Sequence, residues 1–399
     1  MRVLLLCNKS PYPAHEGGPM AMNSIVEGLL RSGNEVKILA VNSEKYNINI
    51  NDIPTDYKAK TQIELVDVDL RIKPIDAFLN LFSNQSYHVQ RFISKDFSSR
   101  LISILQIETF DIVQLETVFM APYINVVRQY SKAPIVLRAH NIEHLIWERL
   151  VVETKNPLKR FYLKHLSRTL KNYELNALNQ IDGIAAITKK DASFFENHSK
   201  KPIITISYGI DIEMYTPVFE MNGKPDLFYI GSMNWIPNQE GIQWFLKSAW
   251  KQIVAQNPDI RLYLAGRFMP DWVRNFESEN LINVGEVADA KKFVAQHNIA
   301  IVPLLSGSGI RIKIIEAMAM GKTVITTPIG AEGIAYAENK NIVIAKNEAE
   351  FVRAISNLYN DPEIVAEIGR EARKLIESTY DNTKIIQQLI DFYHKILRE

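Results

Sequence analysis

Short runs of Val, Ile and Leu alternate with stretches of helical spacing along most of the chain. Such runs predict parallel strands buried on both faces, because the helices that connect them cover both sides of the sheet. Each half of the chain begins with a strand, a loop and a helix, which predicts two doubly wound α/β domains rather than one large sheet. The predicted strands are 3–7, 36–41, 111–115, 134–139, 183–188 and 203–207 in the first series, and 226–231, 261–266, 281–285, 299–303, 323–327 and 341–345 in the second.

The spacing of these runs also sets the predicted domain boundaries. The first domain is predicted over 1–207 and the second over 226–378, with 208–225 as a linker because it holds prolines and glycines but no apolar period. Residues 362–399 show helical spacing that is interrupted near Thr379 to Asn382, so the chain is predicted to end in two helices, the last within 379–399.

Composition narrows the class of protein. The 399 residues carry 46 basic and 45 acidic side chains, a net charge of +1 that gives no global reason to bind nucleic acid. The single cysteine, Cys7, cannot form an intrachain disulfide, which favours a reducing compartment. The apolar run 3–7 is too short for a signal peptide or a membrane span, so we expect a cytoplasmic protein.

The strand-to-helix loops are where ligands bind in doubly wound folds, and with two such domains a ligand is expected in the cleft between them. The densest loop signal is 304–322, LLSGSGIRIKIIEAMAMGK, where a small-residue loop precedes a helix that ends at Gly321. Backbone amides at such a helix start, with Arg311 and Lys313 in its first turn, predict a phosphate site. The alternative is a tight turn with a solvated basic first turn. Ile312 stands where the third glycine of a dinucleotide fingerprint belongs.

Glu316 lies within the same helix among apolar residues. A carboxylate at this place could accept hydrogen bonds from the hydroxyls of a ribose. The alternative is an ion pair with Lys313, three positions earlier.

Six segments, in this order along nearly the whole chain, carry a family resemblance: PYPAHEGGPMAMNSIVEGLLRSGNEVKIL after the first strand, LRAHNIEHLIWERL, AAITKKDASFFE, SYGIDIEMYTP, FYIGSMNWIPNQEGIQWF and SGSGIRIKIIEAMAMGKTVITTPIGAEGI. With them the chain resembles the family 4 retaining glycosyltransferases (glycosyltransferases group 1) of the GT-B fold. The resemblance implies two Rossmann-like domains that face a central cleft, and a C-terminal helix that returns to the N-terminal, acceptor-binding domain.

For the first domain the resemblance implies five site residues. His140 matches the family's active-site histidine, which contacts the sugar of the donor near its anomeric centre. Asn141 and Glu143 lie in the same junction between strand and helix. Gly17 and Gly18, in the loop after the first strand, would let the backbone approach the donor phosphate and the acceptor, or form an ordinary flexible turn.

For the second domain the resemblance implies that Glu316 binds the ribose and that Arg311 and Lys313 neutralise the diphosphate. The remaining predicted substrate-binding residues lie in loops that follow strands: Asn234, Gly266, Arg267, Glu286, Val287, Ser308, Gly309 and Ile310. Two features depart from the family. Ser308 stands where a second acid is common, and the loop GSMNWIPNQEG has no cation, as in a subgroup where Arg311 and Lys313 take over phosphate neutralisation.

Two short patterns suggest metals and are set aside. His140, Glu143 and His144 spell H-x-x-E-H, an inverted metalloprotease motif, but His140 follows a strand rather than lying on a helix. Asp67 and Asp69 spell D-x-D, and with Val66 and Val68 they are more simply the solvated face of a strand. No metal site is predicted.

A basic stretch at 155–171 indicates an amphipathic helix. It could dock the first domain on anionic lipid at the inner face of the plasma membrane, or it could be a core-packed helix with a solvated face. Its cations are Lys155, Lys159, Arg160, Lys164, Arg168 and Lys171, and its apolar positions are Leu158, Phe161, Leu166 and Leu170.

Taken together, these features predict a metal-independent hexosyltransferase that needs no cofactor beyond its nucleoside-diphosphate sugar. Its acceptor would be a saccharide or a lipid-linked saccharide in the synthesis of cell-surface polysaccharide or glycolipid. The alternatives are a GT-B nucleotide-sugar epimerase and a non-enzymatic two-domain solute-binding protein. A dehydrogenase is disfavoured because the glycine fingerprint is absent.

Overall fold

Two parallel β-sheets organise the chain, one in each of two units. The computed structural model describes residues 1–14, 16–219, 223–276, 278–307 and 309–398. The first unit comprises Met1–Gly209 with Ile385–Glu399, and the second comprises Ile210–Lys384.

The first unit is built on a seven-stranded sheet of order β3-β2-β1-β4-β5-β6-β7, with all neighbours parallel. Its strands are β1 (Arg2–Cys7), β2 (Glu35–Asn42), β3 (Glu64–Asp67), β4 (Ile112–Glu116), β5 (Ile135–Ala139), β6 (Gly183–Ala186) and β7 (Ile203–Thr205). Its helices are α1 (Gly17–Arg31), α2 (Thr55–Thr61), α3 (Pro74–Asn80), α4 (Tyr87–Gln90), α5 (Lys95–Ile107), α6 (Ile124–Tyr130), α7 (Glu143–Glu153), α8 (Pro157–Ala177) and α9 (Lys189–Glu196).

Alternation along the buried strands divides the core of this unit into two layers. Val113 and Leu115 of β4 face one cluster, with α5 and α6, while Ile112 faces the other cluster, which includes α1. Because successive side chains point to opposite faces of a strand, Gln114 and Glu116 lie on the same face as Ile112.

The second unit has a six-stranded parallel sheet of order β10-β9-β8-β11-β12-β13. Its strands are β8 (Leu227–Ile230), β9 (Leu262–Ala265), β10 (Leu281–Gly285), β11 (Ile299–Val302), β12 (Thr323–Thr326) and β13 (Val343–Ile344). Its helices are α10 (Ile236–Phe245), continued through a π-helical turn (Leu246–Trp250) into α11 (Lys251–Gln256), then α12 (Asp271–Arg274), α13 (Ala290–Ala295), α14 (Ile312–Ala319), α15 (Glu348–Asn360) and α16 (Pro362–Thr379).

The last helix, α17 (Asn382–Arg398), begins in the second unit and continues into the first. From Ile385 onward its apolar side chains pack with β1 and β2 in the same buried cluster as Ile112. Gly183 at the start of β6 leaves room for α17, because a Cβ atom there would lie 2.4 Å from Ile396 Cδ1 and displace that side chain. The predicted break between two C-terminal helices is confirmed, since α16 ends at Thr379 and α17 begins at Asn382.

All twelve predicted strands are confirmed, and both sheets have the doubly wound order. The structure adds β3, whose last residue, Asp67, belonged to the predicted solvated strand face, while Asp69 lies beyond the strand. Residues 210–219, within the predicted linker, belong to the second unit, where the backbone of Ile210 pairs with that of Asp381.

Candidate functional site

The strand order changes direction between β1 and β4 in the first sheet and between β8 and β11 in the second. In open α/β sheets ligands bind outside the carboxyl ends of the strands at such switch points. Most of the predicted site residues follow these strands or their direct neighbours, and Glu286 and Val287 follow β10, one strand further out in the second sheet.

In the first unit, His140 follows the carboxyl end of β5 and meets a carboxylate from β4. Its Nε2 atom lies 2.5 Å from Glu116 Oε2, and its side chain is 11% exposed. The same oxygen accepts a hydrogen bond of 3.1 Å from Arg138 Nη1. Glu116 and Arg138 are both fully buried, so the carboxylate and the guanidinium neutralise each other beneath the histidine.

The chemistry of these neighbours assigns the proton on His140. Burial disfavours the charged form of Glu116, but the charge of Arg138 and the bond from His140 outweigh it and lower the pKa of Glu116 to about 2. Glu116 is therefore ionised and can only accept, so Nε2 carries a proton and donates it to Oε2. Burial lowers the pKa of His140, against the opposing effect of Glu116. The imidazole is thus neutral near pH 7 and presents Nδ1 as a hydrogen-bond acceptor.

The other two predicted residues of this junction are Asn141, just before helix α7, and Glu143, at its start. Glu143 is its first residue, and Glu174 on α8 accepts hydrogen bonds from the backbone nitrogens of Glu143 (3.0 Å) and His144 (3.2 Å). Burial and the charge of Glu174 raise the pKa of Glu143 to about 8, although a hydrogen bond from Asn141 opposes the rise. Near pH 7 the Glu143 carboxyl is therefore largely protonated and able to donate a hydrogen bond.

The H-x-x-E-H pattern does not assemble into one site. His144 Nδ1 lies 2.6 Å from Glu174 Oε2, whereas His140 pairs with Glu116. Among the residues that the structure describes, no group of three His, Cys, Asp or Glu side chains is placed to hold a metal ion.

Gly17 and Gly18 are the first two residues of α1 rather than part of the preceding loop. Helical turns start here because the amide of Met20 bonds to the carbonyl of Glu16 (2.8 Å). Gly18 also leaves room for Lys9, since a Cβ atom would lie 3.0 Å from Lys9 Cε. The two glycines therefore form a helix N-terminus beside Lys9, whose Nζ pairs with Glu16 Oε2 at 3.6 Å.

In the second unit, the loop after β11 leads into α14 as the sequence predicts. Buried apolar residues hold α14 against the sheet, and the helix ends where Gly321 takes a positive φ of 72°. Arg311 immediately precedes the helix and is 5% exposed, and its Nη1 donates to the carbonyl of Gly309 (2.5 Å). Its guanidinium lies 5.6 Å from the centre of the Trp235 ring. Ile310 is half-buried beside it, and Ser308 lies outside the described residues.

Lys313 supplies the cation that the sequence of the loop 231–241 lacks. Its Nζ donates to Asn238 Oδ1 (2.9 Å) and to Tyr229 Oη (3.1 Å). Gly231 leaves room for this amine, because a Cβ atom there would lie 2.5 Å from Nζ and displace it. Burial and the nearby charge of Arg311 lower the pKa of Lys313 to about 7, with Glu316 opposing the shift. Near pH 7 this amine is therefore only partly protonated, and binding of an anion beside it would favour uptake of a proton.

Glu316 has a hydrogen-bond partner, Tyr215, that was not predicted from the sequence. Its Oε1 accepts a hydrogen bond of 2.8 Å from Tyr215 Oη, and Lys291 lies 4.3 Å from the centre of the Tyr215 ring. No ion pair joins Glu316 to Lys313 within 4.0 Å among the described side chains, so the alternative interpretation of Glu316 is wrong. Burial raises the pKa of Glu316, while Tyr215 and the two lysines oppose the rise. Tyr215 lies within the segment SYGIDIEMYTP that carries the family resemblance, but no role was predicted for it because the segment was predicted as a linker.

The other predicted residues of the second unit lie in three surface loops after β8, β9 and β10. Asn234 is exposed and accepts a bond from Ser232 Oγ (2.8 Å). Arg267 and Glu286 form an ion pair of 3.0 Å between adjacent loops, with Gly266 buried and Val287 half-buried beside them. Phe268, which the sequence did not single out, is 67% exposed at a positive φ of 58° in the same loop as Arg267.

Comparison with known proteins connects this architecture to an enzyme class. Residues 224–361 match the family model described as glycosyl transferases group 1. Among solved structures, sucrose-phosphate synthase from Thermosynechococcus elongatus superposes with a TM-score of 0.71 at 14% identity, covering all of both chains. HepE from Anabaena, solved in complex with UDP, gives a TM-score of 0.68 at 13% identity over 99% of this chain and 100% of that one. The chain is a glycosyltransferase with the GT-B fold.

Two relatives show sequence similarity over most of this chain. An uncharacterized 44.6 kDa protein in the cps region of Klebsiella pneumoniae is 23% identical over 97% of this chain and 98% of its own length. The capsular polysaccharide biosynthesis glycosyltransferase CapM of Staphylococcus aureus is 22% identical over 62% of this chain and 72% of its own length. The predicted fold is thereby confirmed, and so is glycosyl transfer as the general class of reaction. Hexose transfer from a nucleotide sugar, metal independence and the roles of individual site residues stay predictions.

Proposed function

We propose that this glycosyltransferase is a retaining, metal-independent hexosyltransferase of the family 4 type that uses a nucleoside-diphosphate sugar. The observation that carries the proposal is the start of α14, where Arg311, Lys313 and Glu316 lie together along one short helix and the residue before it. Two cations suit a diphosphate, and a partly buried carboxylate suits the hydroxyls of a ribose. The HepE structure with UDP supports a nucleotide ligand for this fold.

In this proposal the leaving diphosphate binds at the first turn of α14. Backbone amides at the helix N-terminus, Arg311 and protonated Lys313 stabilise the negative charge that develops when the bond between the anomeric carbon and the phosphate oxygen breaks. Glu316, held by Tyr215, binds the ribose and sets the position of the nucleotide along the helix.

His140 of the first unit then contacts the sugar of the donor. Its unprotonated Nδ1 accepts a hydrogen bond from a sugar hydroxyl while Nε2 stays bonded to Glu116. The acceptor hydroxyl attacks the anomeric carbon from the face that the phosphate leaves, and its proton passes to the departing phosphate oxygen. The new glycosidic bond therefore keeps the donor's configuration, and no protein nucleophile is needed.

The acceptor is proposed to be a saccharide or lipid-linked saccharide in the assembly of cell-surface polysaccharide or glycolipid at the cytoplasmic side of the membrane. The similarity to CapM supports a polysaccharide product.

A panel of sugar nucleotides tests the proposal. We expect slow release of nucleoside diphosphate from one of UDP-, GDP- or ADP-hexose, unchanged by a chelator, with water acting as the acceptor. Proton NMR of the freshly released hexose should show the donor's anomeric configuration. Inversion of configuration, or release that stops when the chelator is added, would contradict the proposed mechanism.

Peripheral membrane contact is the second part of the proposal, and the structure modifies its predicted basis. Among the described residues, none of the helices combines the length and apolar character needed to cross a bilayer. Leu166 and Leu170 of α8 are buried in the core, whereas Leu158 and Phe161 are 82% and 69% exposed. The predicted apolar stripe therefore divides into a core half and a surface half.

Exposed apolar side chains on helix α3 and on the residues next to it add to the exposed apolar positions of α8. His165 on α8 bonds to the carbonyl of Asn80 (3.0 Å) at the end of α3, and Ala77 of α3 packs against the small buried cluster of Tyr87, Leu163 and Leu166, so the end of α3 contacts α8. The exposed apolar side chains on and beside these two helices, here called the apolar patch, are Ile72, Ile75, Phe78, Leu79, Phe82, Leu158 and Phe161.

Cations accompany the apolar patch. Lys155, Lys159, Arg160, Lys164 and Arg168 are all exposed along α8 and the turn before it. Exposed aromatic and aliphatic side chains next to clustered cations fit an anionic lipid surface, because the side chains enter the interface while the cations meet lipid headgroups. We therefore propose that the apolar patch docks on an anionic membrane.

Vesicle co-sedimentation tests the docking. The protein should bind vesicles that contain phosphatidylglycerol better than pure phosphatidylcholine vesicles, and less at high salt. The double variant Phe78→Ser/Phe82→Ser should bind at least about tenfold more weakly, since two buried aromatic side chains are lost from the interface. Ile107→Ser is the control, because Ile107 is 83% exposed on α5 of the same unit but outside the apolar patch. Equal losses in both variants would contradict the assignment.

A further inference from the structure

A continuous series of hydrogen bonds runs from the last helix to His140. Tyr393 Oη, on α17, donates to Gln114 Oε1 on β4. Gln114 Nε2 donates to Glu116 Oε1 (2.7 Å), and the other oxygen of Glu116 accepts from His140. Tyr393, Gln114 and Glu116 are each fully buried in the layer between α17 and the sheet.

Tyr393 decides which way the Gln114 amide faces. Burial, reinforced by the negative charge of Glu116, raises the pKa of Tyr393, so the phenol stays protonated and donates. With its oxygen held by this donor, Gln114 must turn its NH₂ group toward Glu116. In the opposite orientation the amide oxygen would face the carboxylate, which is unfavourable for two acceptors.

Burial of these three polar side chains costs free energy, because the layer around them is otherwise apolar. A buried polar group must find partners, and Ile112, Val136 and Ala185 show that this face of the sheet is otherwise built from aliphatic side chains. Packing of α17 alone would be served by apolar residues at 114 and 393. The polar series instead sets the charge and orientation of Glu116, the carboxylate that holds His140.

We propose that Tyr393 is a positioning residue for His140, acting through Gln114 and Glu116. This inference rests on the proposed role of His140 in contacting the donor sugar. The charged groups that face His140 are Glu116 from β4, Arg138 from β5 and Lys9 after β1. Loss of the Tyr393 hydroxyl weakens Gln114 as a donor, so the Glu116 charge becomes available to His140 and favours the imidazolium.

Tyr393→Phe is the direct test, because it removes the hydroxyl and keeps the ring. A pH titration of the histidine signals by NMR, on the full chain labelled at histidine, needs no substrate. The signal of His140 is assigned as the one missing in His140→Gln. We expect a higher pKa of His140 in Tyr393→Phe than in the parent, and the same direction in Gln114→Met. With UDP-glucose as the probe for hydrolysis, kcat should fall about fivefold to tenfold while KM changes less than about twofold.

Tyr123→Phe is the matched control. Tyr123 is a buried tyrosine of the same unit whose Oη donates to the carbonyl of Phe92 (2.6 Å) and accepts from the amide of Ser94 (3.1 Å). It should lose comparable stability and leave both the His140 titration and kcat at the parent values. An unchanged His140 titration in Tyr393→Phe, or an equal change in both variants, would overturn the proposal. A shifted titration together with full activity of His140→Gln would instead overturn the proposed role of His140 and leave the coupling intact.

Discussion

His140→Ala should lower kcat for donor hydrolysis by about 100-fold or more and change the KM for the sugar nucleotide less than about threefold. The difference between the expected effects on kcat and on KM follows from where the His140 side chain lies. His140 follows the carboxyl end of β5, whereas the residues proposed to bind the nucleotide lie on α14 and immediately before it. Loss of the imidazole therefore removes an interaction with the reacting sugar and leaves nucleotide binding in place.

His297→Ala is the control for this variant. His297 also bonds to a carboxylate, with its Nδ1 atom 2.7 Å from Asp226 Oδ2, but it lies beside the start of β8, away from the loops at the carboxyl ends of the strands. It should retain kcat within about threefold. Steady-state kinetics with the active member of the sugar-nucleotide panel measures both variants, and near-parent turnover in His140→Ala would remove His140 from the site.

The second large effect concerns Lys313. Lys313→Met should weaken binding of a nucleoside diphosphate by about 30-fold at pH 7, which corresponds to about 2 kcal/mol for a lost bond between charged groups. Burial keeps this amine partly neutral in the free protein, with a pKa of about 7. A bound diphosphate favours the charged form and raises that pKa, so affinity should fall as the pH rises above 7 and be nearly constant below 6.

A second buried lysine of the same unit provides the control. Lys322 is 1% exposed, burial lowers its pKa to about 8, and its Nζ bonds to the carbonyls of Val218 (3.3 Å) and Ala295 (3.1 Å). It lies beyond the end of α14, away from the loops at the phosphate site. Isothermal titration with UDP, GDP and ADP should show that Lys322→Met keeps the affinity and its pH dependence. If both lysine variants behave alike, Lys313 does not contact the diphosphate.

The fold was largely predictable because parallel strands buried on both faces have a simple signature. Aliphatic runs such as 299–303 can only be satisfied inside a covered sheet, and all twelve were found. Strand β3 was missing from the predicted strands, although its last residues were interpreted as a solvated strand face, because it lies at the edge of its sheet, where its four residues are only partly buried or exposed and leave no aliphatic run.

The predicted phosphate loop was visible for a similar reason, since a run of small residues followed by a helix with early cations is a local pattern. The partners of the site residues were not local. Tyr215 meets Glu316 across 101 positions, and Lys313 reaches Asn238 across 75. Spacing along the chain says nothing about such pairs, because only the order of the strands brings them together.

One signal in the sequence did point to the layer beneath His140. Gln114 and Glu116 are polar residues at alternate positions of a strand that is otherwise aliphatic, so both must lie on one buried face. Arg138 interrupts β5 in the same way, and the paired register places Glu116 opposite Arg138. Polar residues that interrupt the ends of neighbouring buried strands are therefore a sequence signal of a functional region.

The most direct test of a diphosphate site at Lys313 is the number of protons taken up on binding. Calorimetry with the preferred nucleoside diphosphate at pH 8, in two buffers of different ionisation enthalpy, measures it. We predict uptake of about one proton per diphosphate in the parent and in Lys322→Met, and close to none in Lys313→Met. Tight binding without proton uptake, or uptake that persists in Lys313→Met, would contradict the placement of the diphosphate at the start of α14.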